Sequence, residues 1–300
     1  MAKNKRWGKK YVDKRNWKEY NAKLIKRGEF YINPLFLDTW INEINEMNSG
    51  KIGNPYIYSK SQIEFLAVLH AKGFDYRSLQ GIMQGLSERL GNFPVISYSQ
   101  ISRRFNALNL KFNLDFEEKL IVGIDGTGNK VSNRGEWIRH KWKVQKGWIK
   151  VVIMGTTDGK TVDVRVGNEN LDERKAARGM LRKNKKKIKK AFFDGLHDCK
   201  DTFNLCNKLG LEPVIKIRKN ASTKSRGSMP RKKEVIEYKE LGYGEWSKSK
   251  RYGLRWPATE GIFSAVKRIF GEYVSSTKKK NMYHEAKLKL WAYNRLLEVN

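Results

Sequence analysis

The texture of the apolar residues changes near residue 115, from helical to strand-rich, and that change limits the folds open to this chain. Before it, apolar side chains recur every three or four residues. They predict helices over 35–48, over 60–72 (Ile63, Leu66, Leu69, Ala71) and over 76–90 (Leu79, Ile82, Met83, Leu86), the last stopped by Gly91. After Pro94 and a polar turn, Tyr98 to Leu110 predicts a further helix, capped by Ser99 or Ser102 and carrying Arg103 and Arg104. Two helices joined by a Gly/Pro turn, the second opening Ser-Gln-Ile-Ser-Arg-Arg, fit a helix-turn-helix, although any small helical bundle gives the same pattern. Residues 1–30 read as a basic arm dotted with Trp7, Tyr11, Trp17 and Tyr20.

Beyond residue 115 the apolar runs shorten. Leu120 to Ile124 predicts a strand ending in Asp125-Gly126-Thr127-Gly128. Residues 142–145 and 148–154 flank Lys146-Gly147 as a hairpin, and 161–166 adds a strand after Asp158-Gly159. Asn168 to Lys190 reads as a basic helical stretch, and 191–193 as a brief strand ending at Asp194-Gly195. A helix over 201–209, a strand over 213–217, a Gly/Ser-studded loop or insertion over 218–250, and helices over 257–271 and 284–297 complete the order. Such a succession is an α/β unit with a mixed sheet. The expected division is therefore 1–115, a basic arm with a helical DNA-binding region, and 116–300, an α/β domain with a basic insertion at about 218–256.

Charge narrows the partners. Of 300 residues, 62 are Lys or Arg and 31 Asp or Glu, a formal net charge of +31. A phosphate backbone turns such charge into affinity through counterion release, whereas free in solution it only repels itself. The positive residues form blocks: eleven in 3–27, ten with no acid in 174–190, and thirteen against four Glu in 216–255. Arg103, Arg104, Lys185, Lys186, Lys187, Arg231, Lys232 and Lys233 are the expected DNA contacts. No apolar run reaches 18 residues, and the basic N-terminus has no apolar segment behind it. A membrane span, a membrane partner and a secretory signal are not expected. Cys199 and Cys206 fit neither a disulfide framework nor a zinc site.

Three acids stand out by position. If the first strand and 191–193 are parallel neighbours, Asp125 and Asp194 end them side by side, where α/β sheets place ligands. Alone, an Asp before Gly is an ordinary turn former; paired at matched strand ends, two carboxylates repel and a divalent cation relieves the repulsion. On the closing helix Glu260, Ser264, Lys267 and Gly271 share a stripe opposite Ile262, Ala265, Val266 and Ile269. Alone, Glu260 would be a first-turn acid favouring the helix dipole. With two Asp it can hold two Mg²⁺ ions about 3.5–4 Å apart, able to bind attacking and leaving oxygens of a phosphoryl displacement. Arg255 and Lys267 would neutralise phosphate, and Tyr252 would offer a hydrogen bond or a stacking face.

These residues carry a resemblance. Val122-Gly123-Ile124-Asp125-Gly126-Thr127-Gly128, Phe193-Asp194-Gly195-Leu196-His197-Asp198 and Tyr252-x2-Arg255-x4-Glu260-x6-Lys267 are similar to the motifs of the DDE transposases of prokaryotic insertion sequences. Ser97 to Leu110 resembles the helical segment preceding their catalytic domain, and Leu211 to Lys219 their strand after the second Asp; the likeness spans about residues 57–295. It implies a ribonuclease-H-like mixed sheet flanked by helices. Asp125, Asp194 and Glu260 would be metal-binding catalytic residues, with Tyr252, Arg255 and Lys267 the signature around the Glu. The family has three residues between Arg and Glu where this chain has four. It often has an aromatic where His197 stands, and His197 is given no role.

The expected function is a DNA transposase. It would hydrolyse the phosphodiester at its element's ends with Mg²⁺ (Mn²⁺ able to substitute), then use the freed 3′-OH to attack target DNA. Double-stranded DNA, at element ends and target, is the partner. Bringing two ends together implies a homodimer, and the expected location is the prokaryotic cytoplasm, with the nucleoid. The alternatives are an inactive transposase-derived DNA-binding protein and a nuclease on the same fold.

Overall fold

The computed structural model describes residues 16–31, 36–91, 93–112, 118–131 and 147–298. Five helices come first: α1 (Trp17–Phe30), α2 (Phe36–Asn48), α3 (Lys60–Lys72), α4 (Tyr76–Leu90) and α5 (Tyr98–Ala107). Side chains acting as caps fix their starts. Ser59 accepts from the Gln62 N–H, Asp75 from those of Arg77 and Ser78, and Ser97 from that of Gln100. The cap of α5 is thus Ser97, ahead of the Ser99 or Ser102 expected from sequence. The distal half of the expected basic arm is the helix α1, while residues 1–15 lie outside the described residues.

The sheet comes next: β1 (Leu120–Val131), β2 (Trp148–Thr156), β3 (Thr161–Asn168), β4 (Ile188–Phe193), β5 (Glu212–Ile215) and β6 (Tyr273–Val274). Its order is β3-β2-β1-β4-β5, with β6 beside the far end of β1. β2 runs antiparallel to β1 and β3, while β4, β5 and β6 run parallel to β1. That order and those directions give the ribonuclease-H-like mixed sheet. The expected strand 142–145 and its turn residue Lys146 lie outside the described residues.

The other helices are α6 (Glu173–Asn184), α7 (Lys200–Leu209), α8 (Met229–Ser249), α9 (Arg255–Ala258), α10 (Glu260–Phe270) and α11 (Lys279–Glu298). Three expectations change. The basic helix stops at Asn184; Lys185–Lys187 form a 3-10 turn and the next residues enter β4, because Ile188 is needed in the core. The expected loop over 218–250 is largely α8, a helix kinked at Gly242, where φ is +69°. It forms because Ser228 caps it, and because Val235 and Trp246 find buried places. The helix expected over 257–271 is broken at Thr259 (φ −134°, ψ −81°) into α9 and α10.

Each sheet face has its own core. On one, Val122, Ile124, Val152, Met154 and Phe193 meet Ala177, Met180 and Leu181 of α6 and Phe203 and Cys206 of α7. On the other, Ile149, Val151, Ile153 and Val164 meet Ile262 and Val266 of α10 and the α11 side chains; the same cluster continues into Leu66 of α3, Leu79 and Met83 of α4, and Ile101 and Phe105 of α5. The N-terminal helices therefore share a core with the sheet through α11. A third cluster joins Phe192 and Val214 to Trp246 and Tyr252.

Candidate active site

The site lies in a gap in the sheet. On one edge β1 pairs with β2 from Val122 to Lys130. On its other edge it pairs with β4 only as far as Gly123↔Phe192, and with β6 from Lys130 onward. Asp125 stands two residues beyond Gly123, and Asp194 two beyond Phe192, so the two acids are level. Asp125 does not end its strand, as the sequence suggested; the strand continues to Val131, and what ends there is its pairing with β4. Gly126 and Gly128 are strand residues, not a turn. A Cβ at Gly126 would lie 2.7 Å from the Glu173 carboxylate, and one at Gly128 3.0 Å from the Trp148 ring.

Residues 123, 125 and 127 face the same side of the sheet. Over that side runs the α9–α10 unit. A Cβ at Gly123 would meet Ala258 Cβ and Thr259 Cγ2 at 2.8 Å, so glycine there lets the break between the helices rest on the strand. One step along, Arg255 Nη1 donates to Asp125 Oδ2 at 3.0 Å, while Nη2 donates to Glu260 Oε1. A further step along, Lys267 Nζ donates to Thr127 Oγ1 at 3.0 Å. Ile262, Phe263, Val266 and Phe270 anchor α10 beneath this polar stripe. Each contributes about 1.5–3 kcal/mol of burial, which holds the helix on the sheet.

Electrostatics mark Asp125. Burial lifts its pKa to about 6; the Gly126 N–H and Arg255 pull it down, and Asp194 and Glu260 push it up. Arg255 responds in the complementary way. Burial disfavours its charge, but Tyr252, Glu260 and Asp125 outweigh it and raise its pKa. Asp194 Oδ1 accepts the Leu196 N–H, which fixes its carboxylate at the end of β4. Tyr252 is buried, its hydroxyl donates to the Phe193 carbonyl at 2.9 Å, and its ring lies 5.8 Å from the Arg255 guanidinium. It braces β4 next to Asp194; of the hydrogen bond or stacking face expected for it, the hydroxyl is spent on this backbone carbonyl.

Among the described residues, no three His, Cys, Asp or Glu side chains are grouped closely enough to hold a metal ion as they stand. A guanidinium lies between Asp125 and Glu260. The donor chemistry nevertheless fits a hard divalent cation. Two carboxylates from different elements already converge on one cationic group, and a third is near enough to raise the pKa of Asp125.

Two family models, each described as a transposase DDE domain, match the chain, one over residues 25–134 and the other over 117–295. The chain belongs to the DDE transposase domain family. A solved structure of piggyBac transposase, in a synaptic complex with hairpin DNA, aligns with 92% of this chain and 75% of that one at 8% identity, with a TM-score of 0.38.

Within this family member the remaining expected residues separate. Arg231 is committed elsewhere: Nε and Nη2 donate to the buried Asp198 carboxylate at 2.6 and 3.1 Å. It fastens α8 to the loop after β4, because a buried carboxylate needs a charged partner, and is not free for phosphate. Lys232 is half-buried and Lys233 exposed. Lys185, Lys186 and Lys187 are exposed on their 3-10 turn, and Arg103 is exposed on α5. Arg104 turns inward, its guanidinium 4.9 Å from the Tyr58 ring. Sequence reasoning missed Thr127, Thr259 and Glu173. Thr127 was legible, since it stands two residues from Asp125 in a strand and shares its face. Glu173 was not: it pairs with Lys150 at 3.0 Å under Gly126, a contact only the folded sheet creates.

Proposed function

We propose that this chain cuts DNA at the ends of a prokaryotic insertion sequence and joins the freed 3′-OH to target DNA. The observation that carries the reading is the pair Asp125 and Glu260 joined by Arg255 at the open stretch of β1, with Asp194 level with Asp125 at the end of β4 and Lys267 one step along. Asp125, Asp194 and Glu260 are the proposed holders of two Mg²⁺ ions, with Mn²⁺ able to replace them; when bound, these would stabilise charge on the attacking and leaving oxygens.

The chain's own residues do the rest. Lys267, held against Thr127, sets a positive charge one step along β1 from Asp125, where it neutralises phosphate. Tyr252 fixes the backbone that carries Asp194. In the first step water adds to phosphorus and the bond to the 3′ oxygen breaks, leaving 3′-OH and 5′-phosphate. In the second, that hydroxyl adds to a target phosphorus and displaces the target's own 3′ oxygen.

The proposed division of labour puts end recognition in residues 1–115, with exposed Arg103 on α5, and chemistry in 116–300. Exposed Lys185, Lys186, Lys187 and Lys233 add sequence-independent phosphate contacts. The proposed assembly is a homodimer holding two DNA ends, and the proposed location is the cytoplasm, at the nucleoid. Among the described residues no helix is long and apolar enough to cross a membrane.

A joining assay with labelled element ends and a target plasmid, in Mg²⁺, tests this. Joined product is expected. Cleavage without joining would make the chain a nuclease, and DNA binding without either would make it a transposase-derived binding protein.

A further inference from the structure

The carboxylates of Asp125 and Glu260 have four oxygens, and the protein itself engages all four. Asp125 Oδ1 accepts the Gly126 N–H at 2.8 Å, and Oδ2 accepts Arg255 Nη1 at 3.0 Å. Glu260 Oε1 accepts Arg255 Nη2, and Oε2 lies 2.5 Å from the Thr259 hydroxyl. Each oxygen keeps a second lone pair, but the guanidinium fills the space between the two carboxylates, where a shared cation would have to stand. Of the groups in place, only the guanidinium carries charge, so only it repels the incoming cation as well as blocking it.

We infer that Arg255 is the internal counter-ion of this cluster. It holds Asp125 and Glu260 together while no divalent cation is bound, and gives them up when one binds. The inference rests on the proposed metal role of the carboxylates. Its local cause is the spacing within this chain. Four residues separate Arg255 from Glu260, and the last, Thr259, breaks the helix at φ −134°, ψ −81°. The break puts Arg255 at the start of one short helix and Glu260 at the start of the next, and the Arg255 side chain bridges Asp125 and Glu260. The arginine is well sheltered, with its side chain 18% exposed, the same as that of Asp125. Once released it stays beside the site, because its backbone is pinned through Ala258 against Gly123 and Gly155. Arg255 is thus a positioning residue for the acids in one state and a free cation next to phosphate in the other.

The test is Mn²⁺ titration by calorimetry on the full chain, without DNA, for the wild type, Arg255→Gln, Arg255→Lys and Asp125→Asn. Arg255→Gln is expected to bind Mn²⁺ on the order of tenfold more tightly than the wild type, the factor that about 1.4 kcal/mol represents. Without metal it should melt below the wild type, and the gap should narrow as Mn²⁺ rises, because the tighter binder gains more stability from the same ligand. Arg255→Lys keeps the charge but loses the planar fork that bridges two carboxylates. It should fall between the two, and it serves if the Gln variant fails to fold. Equal Mn²⁺ affinity in the wild type and both Arg255 variants, with binding lost in Asp125→Asn, would overturn the counter-ion role alone. Binding retained in Asp125→Asn would overturn the metal site and the counter-ion role together.

Discussion

Gly155 supports the carbonyl of Ala258 so closely that a Cβ added to it would lie 2.2 Å from that oxygen and 2.3 Å from Ile262 Cδ1. Backbone cannot yield as a side-chain tip can, so Gly155→Ala must lift the α9–α10 unit off β2. A loss of about 1–3 kcal/mol is expected, the usual cost of overpacking, with a fall in strand cleavage because Arg255 and Glu260 move with Ala258. Gly81→Ala, in α4 with nothing within 4 Å, is the contrast. It should gain about 0.5–1 kcal/mol, since glycine is a poor helix residue. Denaturant midpoints compare the two. Equal stability in both variants would mean that the unit does not rest on Gly155.

Asp125→Asn, Asp194→Asn and Glu260→Gln should each reduce Mg²⁺-dependent cleavage to background while leaving DNA affinity within about twofold. An amide keeps the shape of the carboxylate but has no charge with which to hold a divalent cation against its hydration. Gel-based cleavage and fluorescence anisotropy on one preparation separate chemistry from binding. Any variant that still cleaves substantially removes its residue from the site.

How far the site was legible follows from where its determinants lie. The acids, Arg255, Lys267 and the parallel neighbours β1 and β4 were readable, because motif residues sit at places the fold must bring together. Tyr252's true partner was not readable, since the Phe193 carbonyl is a backbone group that no side-chain pattern announces. Arg231 looked like one more cation in a basic stretch until the fold buried Asp198 beneath it. α8 was hidden by its composition. Gly, Ser and Lys read as loop, but one buried face carrying Val235 and Trp246 sufficed to order it. The break at Thr259 was invisible because the residues on either side of it keep helical periodicity.

His197 gives a pH dependence. It is fully buried, its ring centroid is 4.9 Å from that of Phe193, and neither ring nitrogen has a hydrogen-bond partner among the described residues. Burial lowers its pKa from 6.5, helped by Arg178 and Arg174 and opposed by Asp194 and Glu173. The folded state therefore favours the neutral ring. Its contribution is complete above the unfolded value of 6.5 and is lost as pH falls through the lower folded value, where the unfolded chain binds the extra proton. His197→Phe should raise stability at pH 7 by about 1 kcal/mol, by removing unpaired buried nitrogens. It should also make the decline from pH 7 to 5 shallower. His70 and His284, lowered by burial as well, keep part of the slope. Parallel stability–pH curves for variant and wild type would show that His197 is not the titrating group.

Lys267 and the lysines of the 185–187 turn should fail in different ways. Lys185, Lys186 and Lys187 are exposed on the 3-10 turn that leads into β4. Changing all three to Gln should flatten the slope of log K against log salt by up to roughly 2.7, at about 0.9 per phosphate on duplex DNA, and leave turnover at saturating DNA unchanged. Lys267 is half-buried, and its ammonium is fixed 3.0 Å from Thr127 Oγ1, one step along β1 from Asp125. Lys267→Ala should lower cleavage at saturating DNA and cost only about one unit of slope. Thr127→Val, which removes the hydroxyl but not the charge, should lower saturated cleavage less and leave the slope alone, since it loosens Lys267 without deleting it. Suppose instead that Lys267→Ala weakened binding as much as the triple change and left saturated turnover intact. Its charge would then act on the DNA at large, and the placement of Lys267 beside the scissile phosphate would be wrong.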